Sequence, residues 1–352
     1  MKKVIKEISV AFCLSSLIGV GVYLFFTSFL LSILISGFIL FLAFIKPTYR
    51  MLNHYFRRSR KFKDYFDFVK FLDYVPQNID IVNLGSSSGN FDFEYDKSIK
   101  GLNWALAPQT LYYDFNILKQ YYSFLKPNAT VIFSLCPFSS CITNFTQPGS
   151  DLKYYSFLHP AMICEYSEDK HKTIRSLIYH PILMSYKILG LKKFLHSFLA
   201  SVIKHHPCNS LKNTLSEKAL EKDANNWIEG WKNQFQIESL DSEKISEESK
   251  NSILFNGQLI SDIAIFCNRR DLNLVFILPP MTSVLSSNFS GLFRENYIYS
   301  LFSNENTSNL LFLNYIDDKR FSDKDLYFNS YFLNARGRKL FTNQVLKDIK
   351  LL

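Results

Sequence analysis

The sequence predicts an α/β protein: a doubly wound, mainly parallel sheet with a helical insertion, preceded by an N-terminal transmembrane helical hairpin. Three observations predict it. Short apolar runs that stop at Gly or Pro clusters alternate with stretches of helical periodicity. That rhythm disappears between about Ser139 and Asn251. No charged residue occurs from Ile8 to Ile45.

The uncharged block comes first. Its 38 residues would make a straight helix of about 57 Å, nearly twice the ~30 Å hydrocarbon thickness. Two spans of roughly 18 residues fit instead, Ile8 to Phe25 and Ser28 to Ile45, with a reversal at Thr27-Ser28. Lys2, Lys3 and Lys6 precede the block, and Lys46, Arg50, Arg57, Arg58, Arg60, Lys61 and Lys63 follow it. Both flanks therefore favour the cytoplasm, which a hairpin satisfies and which places the rest of the chain there. A single tilted anchor with an exported domain is the alternative. A cleaved signal peptide would have a shorter apolar core and a small-residue cleavage site. Residues 1–46 are thus read as the membrane segment and 47–78 as a basic juxtamembrane stretch.

The net charge of +9 points to the same surface. Much of the excess lies beside the membrane block, where basic residues attract anionic headgroups, so membrane lipid is the expected partner. "YFRRSRKFKDYFDF" carries no nucleic-acid motif, and nucleic acid is not expected. Six cysteines include Cys13 in the block and Cys136, Cys141, Cys164, Cys208 and Cys267 beyond it, with no CxxC pair. His205-His206-Pro207-Cys208 is a poor zinc signature. Reduced thiols, no metal and no cofactor are expected.

In residues 79–352 the strands read as "IDIVNL" (Ile79 to Leu84), "LNWAL" (Leu102 to Leu106), "TVIFSLC" (Thr130 to Cys136), "LNLVFIL" (Leu272 to Leu278) and "LLFLNYI" (Leu310 to Ile316). Leu111, Phe115, Leu118, Tyr122 and Leu125 recur at spacings of three and four, which predicts a helix stopped at Pro127. Ile253, Leu259, Ile263 and Ile265 belong to another helix, and Arg336 to Ile349 to a last one. Inside the insertion, "PILMSYKILGLKKFLHSFLASVIKHH" is apolar and basic, whereas "SEKALEKDANNWIEGWKNQ" is polar. The insertion is read as a lid, a second membrane-contacting surface, or ordinary packing over the sheet's edge.

The chemistry-bearing stretch is "IVNLGSSSGN", Ile81 to Asn90. Gly85 and Gly89 permit a sharp strand-to-helix turn at the carboxyl end of a parallel sheet, where α/β folds place ligand groups. Ser86, Ser87 and Ser88 lie between them. A methyltransferase loop would need closer glycines and a carboxylate ending the second strand, and "LNWAL" has none.

Together, "NLGSSSGNFDFEY", "GLNWALAPQTLYYDFNILKQYYSFLKPNATVIFSLCPFS", "LNLVFILPP" and "YFNSYFLNARGRKLFT" resemble the SGNH (GDSL-like) hydrolase and acyltransferase superfamily, in its membrane-anchored bacterial branch that modifies cell-surface polysaccharide. The resemblance covers Asp80 to Phe138 and Asn251 to Lys347. It implies a flavodoxin-like sheet, a nucleophile at Ser87 with an oxyanion donor at or beside it, and a pocket residue at Asn103. Gly85, Ser86 and Ser88 fall in the ligand-binding turn. The family's Asp-x-x-His element is matched by "NSYF", so Asn329 stands at the aspartate position and Phe332 at the histidine position. Without that pair a serine hydroxyl is a poor nucleophile. Among His54, His159, His171, His180, His205 and His206, His159 is the first candidate for a substitute base.

Two functions are expected on this basis. One is a catalytically degenerate protein that binds a polysaccharide or lipid-linked glycan, or an acyl carrier, for a membrane assembly partner. The other is an active serine esterase or O-acyltransferase with its base supplied elsewhere.

Overall fold

The computed structural model describes residues 2–26, 29–59, 62, 66–72, 75–97, 99–145, 149–203, 216–242, 244–303, 307 and 309–350. The predicted Thr27-Ser28 reversal, Arg60, Lys61, Lys63, His205, His206 and Cys208 lie outside them. The chain forms two compact units, an N-terminal unit of residues 1–66 and 172–205 and a sheet unit of residues 67–171 and 206–352.

In the N-terminal unit, α1 runs Lys2–Phe26 and α2 runs Phe29–Arg58. The Ser15 hydroxyl donates to the Ser36 carbonyl at 3.0 Å, so the two helices touch. Among the described residues one helix is long and apolar enough to cross a membrane. It is the Ile33–Arg58 stretch of α2, with mean hydropathy 1.5; Ile8–Leu24 of α1 is a shorter apolar helix. Residues 47–58 are a continuation of α2 through Pro47 rather than a separate segment.

The sheet unit holds five parallel strands: β1 Ile79–Gly85, β2 Gly101–Asn103, β3 Leu125–Ser134, β4 Asn273–Leu278 and β5 Leu311–Asn314. Their order, β2-β1-β3-β4-β5, is the flavodoxin-like one. The central strands are buried on both faces, and for that reason their sequences are continuous apolar runs without alternation. Among the helices, α3 spans Ser87–Asp92, α4 Leu111–Tyr121, and α5, the kinked helix of the N-terminal unit, Pro181–Ile203. α6 spans Glu217–Phe235 and α7 Glu247–Asn268. The last helix, α8, is Ala335–Asp348, and its Phe341 and Val345 pack with Ile81, Ile132, Val275 and Ile277 on one sheet face.

Several boundaries differ from expectation. α4 ends at Tyr121 and β3 begins at Leu125, so Leu125 and Pro127, read as the end of the helix, are strand residues ahead of the buried run from Ala129. β2 ends at Asn103; beyond it the Trp104 and Leu106 N–H groups still donate to the Asn83 and Gly85 carbonyls at 2.8 and 3.2 Å, while Trp104, Ala105 and Leu106 are buried in the core. The insertion is split: residues 172–205 belong to the N-terminal unit, while 139–171 and the described part of 206–251 belong to the sheet unit. Asp67–Leu72, assigned by sequence to the juxtamembrane stretch, also belongs to the sheet unit.

Candidate functional site

β1 delivers the serine turn to the carboxyl edge of the sheet. Gly85 has φ 133°, and a Cβ there would collide with the Ser134 carbonyl of β3. A Cβ on Gly89 would lie 2.9 Å from the Leu84 carbonyl oxygen. Gly85 is therefore required by its φ and by the closeness of β3, and Gly89 by the close approach of α3 to the end of the sheet. The three serines then diverge. Ser86 Oγ accepts from the Gln109 N–H at 3.1 Å, and buried Ser88 donates toward the Leu135 carbonyl at 3.5 Å. The side chain of half-buried Ser87 makes no hydrogen bond among the described residues, which leaves its hydroxyl available to a ligand.

All three serines border a cavity of about 330 Å³. Pro108 and Gln109 after β2, Cys136 after β3, and Tyr331 form part of its wall. The insertion supplies much of the remainder, including Phe145 and, on α6, Trp227, Trp231 and Phe235. Buried Leu220, Ala224, Ile228 and Trp231, at spacings of four, four and three, bind this helix to the sheet unit. The Trp227 ring lies tilted against Trp231, centroids 5.3 Å apart, and meets the Tyr331 ring edge-on at 5.2 Å.

The wall is braced by buried polar groups. Asp114 of α4 accepts the Gly85 N–H at 2.6 Å and the Gln109 amide, and Gln109 in turn accepts from the Tyr154 hydroxyl at 3.2 Å. Burial outweighs these donors and raises the Asp114 carboxyl to about 7. Lys70 and Lys153 donate to the Ala105 and Pro108 carbonyls at 2.5 Å each, and Asp67 accepts the Ala107 N–H at 3.0 Å. Desolvation lowers both ammonium groups to about 8.

The residues expected from sequence are distributed differently. Asn103 does not line the cavity. Its amide nitrogen donates to the Gly89 and Asn90 carbonyls at 2.9 and 3.2 Å, and its oxygen accepts from Ala105 N–H at 3.0 Å, so it ties β2 to the serine turn. Asn329 Oδ1 accepts from the Tyr331 and Phe332 N–H groups at 3.0 and 2.7 Å, capping its own loop. Phe332, 6% exposed, packs against Tyr331, Phe91, Trp227 and Phe328 with ring centroids 4.5, 5.2, 5.6 and 5.7 Å away. His159 is exposed, away from the cavity wall. Its Nδ1 accepts from the Ala161 N–H at 3.3 Å. His171 pairs with Tyr166, while His54 and His180 are in the N-terminal unit. Among the described residues no histidine lines the Ser87 cavity.

Sequence reading missed the α6 tryptophans, Tyr331 and Asp223. Asp223 of α6 accepts from both the N–H and the hydroxyl of Ser330, at 3.0 and 2.5 Å, and Thr282 Oγ1 donates to the Ser330 carbonyl at 2.8 Å. The loop from Asn329 to Phe332 is thus held by the insertion. A Trp pair four residues apart on a polar helix was the available signal. Asp92, buried at the end of α3, has one oxygen accepting from Leu333 N–H at 3.2 Å, and burial pushes its carboxyl well above the usual range.

Chemically the cavity offers a free hydroxyl, an amide and aromatic faces. Burial pushes the Cys136 thiol up, away from thiolate chemistry. Among the described residues no group of three or more His, Cys, Asp or Glu side chains is placed to hold a metal. No known protein family, no curated protein and no solved structure matches this chain.

Proposed function

We propose that this chain is a membrane-anchored, SGNH-like protein whose Ser87 cavity binds a glycan or acyl-bearing ligand of cell-surface polysaccharide assembly without turning it over. One observation carries the reading: the Ser87 hydroxyl faces an aromatic-walled cavity with no histidine on it among the described residues, and the position expected for a base holds Phe332 in an aromatic stack. A serine without a base loses several orders of magnitude in rate. Trp227 and Trp231 supply flat apolar faces of the kind that pack against sugar rings or acyl chains.

The apolar α2, the contact of α1 with it and the basic residues on both flanks support a two-helix anchor with the sheet unit on the cytoplasmic side. Protease added to intact cells should then leave the sheet unit uncut; external cleavage would replace the hairpin with a single anchor.

The functional test uses purified full-length protein. Candidate glycan and acyl ligands should quench or shift tryptophan fluorescence, and Trp227→Leu should remove most of that signal. No fluorophosphonate label should appear on Ser87. Ser87-dependent labelling or acyl release by the wild-type chain would sink the non-catalytic reading in favour of an active esterase or O-acyltransferase.

A further inference from the structure

The N-terminal unit contains a second cavity, of about 450 Å³, lined among others by Lys46, Tyr49, Arg50, His54 and Arg57 of α2 and by His180 at the start of α5. Lys46, Arg50, His54 and Arg57 follow one another at spacings of four, four and three, so they form a single stripe along α2. The 17 residues from Phe29 to Ile45 carry no charge. At 1.5 Å each they span about 26 Å, close to the ~30 Å hydrocarbon thickness. In a membrane-spanning α2 the stripe therefore begins where hydrocarbon gives way to headgroups.

The cavity is built before any ligand arrives. Asn53, 7% exposed, accepts the Ile182 N–H at 3.0 Å, and the Tyr49 hydroxyl lies 3.4 Å from His180 Nδ1. These contacts fix the first turn of α5 against α2. At Gly190, with φ 75° and ψ 165°, α5 breaks. The rings of Tyr186 and Phe194 then meet at 6.2 Å, although eight residues of straight helix would rise about 12 Å. Phe194 also meets Phe56 of α2 at 6.4 Å. The folded-back helix exposes Leu183, Tyr186, Leu191 and Leu195 beside Lys187 and Lys192, the mixture that seats a helix in the headgroup layer.

We propose that this cavity binds the phosphate of an anionic phospholipid headgroup, with α5 lying in the membrane interface beside it. Arg50 and Arg57 offer the planar forks that pair with phosphate oxygens, Lys46 adds a point charge, and Tyr49 is suited to the interfacial level. The inference rests on the reading of α2 as an anchor and adds a lipid class and a site to it.

Native mass spectrometry of the full-length protein, released from detergent with equimolar phosphatidylglycerol and phosphatidylcholine, tests it. The wild type should retain phosphatidylglycerol selectively. A K46Q/R50Q/R57Q variant should weaken that preference roughly a hundredfold, whereas K250Q/K319Q/K347Q, which removes equal charge from the exposed surface of the sheet unit, should not. Equal retention of the two lipids by the wild type, equal loss in both variants, or displacement of the lipid by inorganic phosphate would overturn the site. If alkaline carbonate released the chain from membranes, the anchor reading would fail with it; a chain that stays in the membrane without headgroup preference would sink the site alone.

Discussion

The side-chain oxygen of Asn329 accepts a hydrogen bond from the backbone N–H of Phe332 at 2.7 Å. The sequence resemblance to the SGNH superfamily leads one to expect a carboxylate and imidazole pair at these positions, the first orienting the second. Here the same two positions form a closed loop whose aromatic member faces Phe91 and Trp227. The loop is held in shape by packing and hydrogen bonds, and neither Asn329 nor Phe332 carries an acid or base group.

Restoring the pair is the most direct test. An N329D/F332H double variant is expected to acquire fluorophosphonate labelling that disappears in the added Ser87→Ala background. Labelling followed by gel fluorescence or peptide mass spectrometry reads this. If a folded double variant stays unlabelled, the SGNH-like frame loses its main support.

The aromatic stack is expected to be structural. Phe332→Ala removes a ring in contact with four others and should cost about 3–5 kcal/mol of sheet-unit stability, measured by denaturant unfolding in detergent. A loss below about 1 kcal/mol would mean that the site can collapse around the gap.

Asp223→Ala should free the Ser330 loop. Two hydrogen bonds to a carboxylate are lost, at about 1.5–3 kcal/mol for such a charged acceptor. Because α6 also carries Trp227 and Trp231, ligand affinity should fall along with stability. Unchanged binding in a destabilised variant would separate the clamp from the cavity.

The buried carboxyl of Asp114 gives a signed pH dependence. Its folded value, about 7, lies above its ordinary 3.8, so between these limits the folded state holds a proton that the unfolded state releases. Stability should therefore be highest below about pH 4 from this group and fall as pH rises toward 7, by up to roughly 4 kcal/mol. Asp114→Asn keeps an acceptor for Gly85 N–H and should flatten that part of the profile. A parallel pH dependence in wild type and variant would place the proton elsewhere.

Much of the fold was legible in the sequence, because buried parallel strands must be apolar along their whole length and helices must bury one stripe. "IDIVNL" and "LNLVFIL" announced β1 and β4 within a residue at each end, and Gly85 and Gly89 marked the turn between strand and helix. The end of β2 was less legible, since Trp104 to Leu106 is buried in the core and keeps two backbone bonds to β1 beyond the regular strand. The candidate site was partly legible. The serine turn does border a cavity, but Asn103 braces β2 instead of lining it, and the cavity's aromatic wall came from an insertion with no strand rhythm to guide the reading.

The sequence by itself determined the apolar N-terminal helices, the strand-and-helix alternation, the serine turn and the absence of an acid–base pair at "NSYF". These are properties of residue type at a local spacing, and local spacing is what a chain displays. Only the tertiary structure decided which serine stays uncommitted, which side chains line its cavity, and which unit each half of the insertion joins. Those outcomes depend on contacts between residues far apart in sequence, such as Asp223 with Ser330, and no local pattern carries that information.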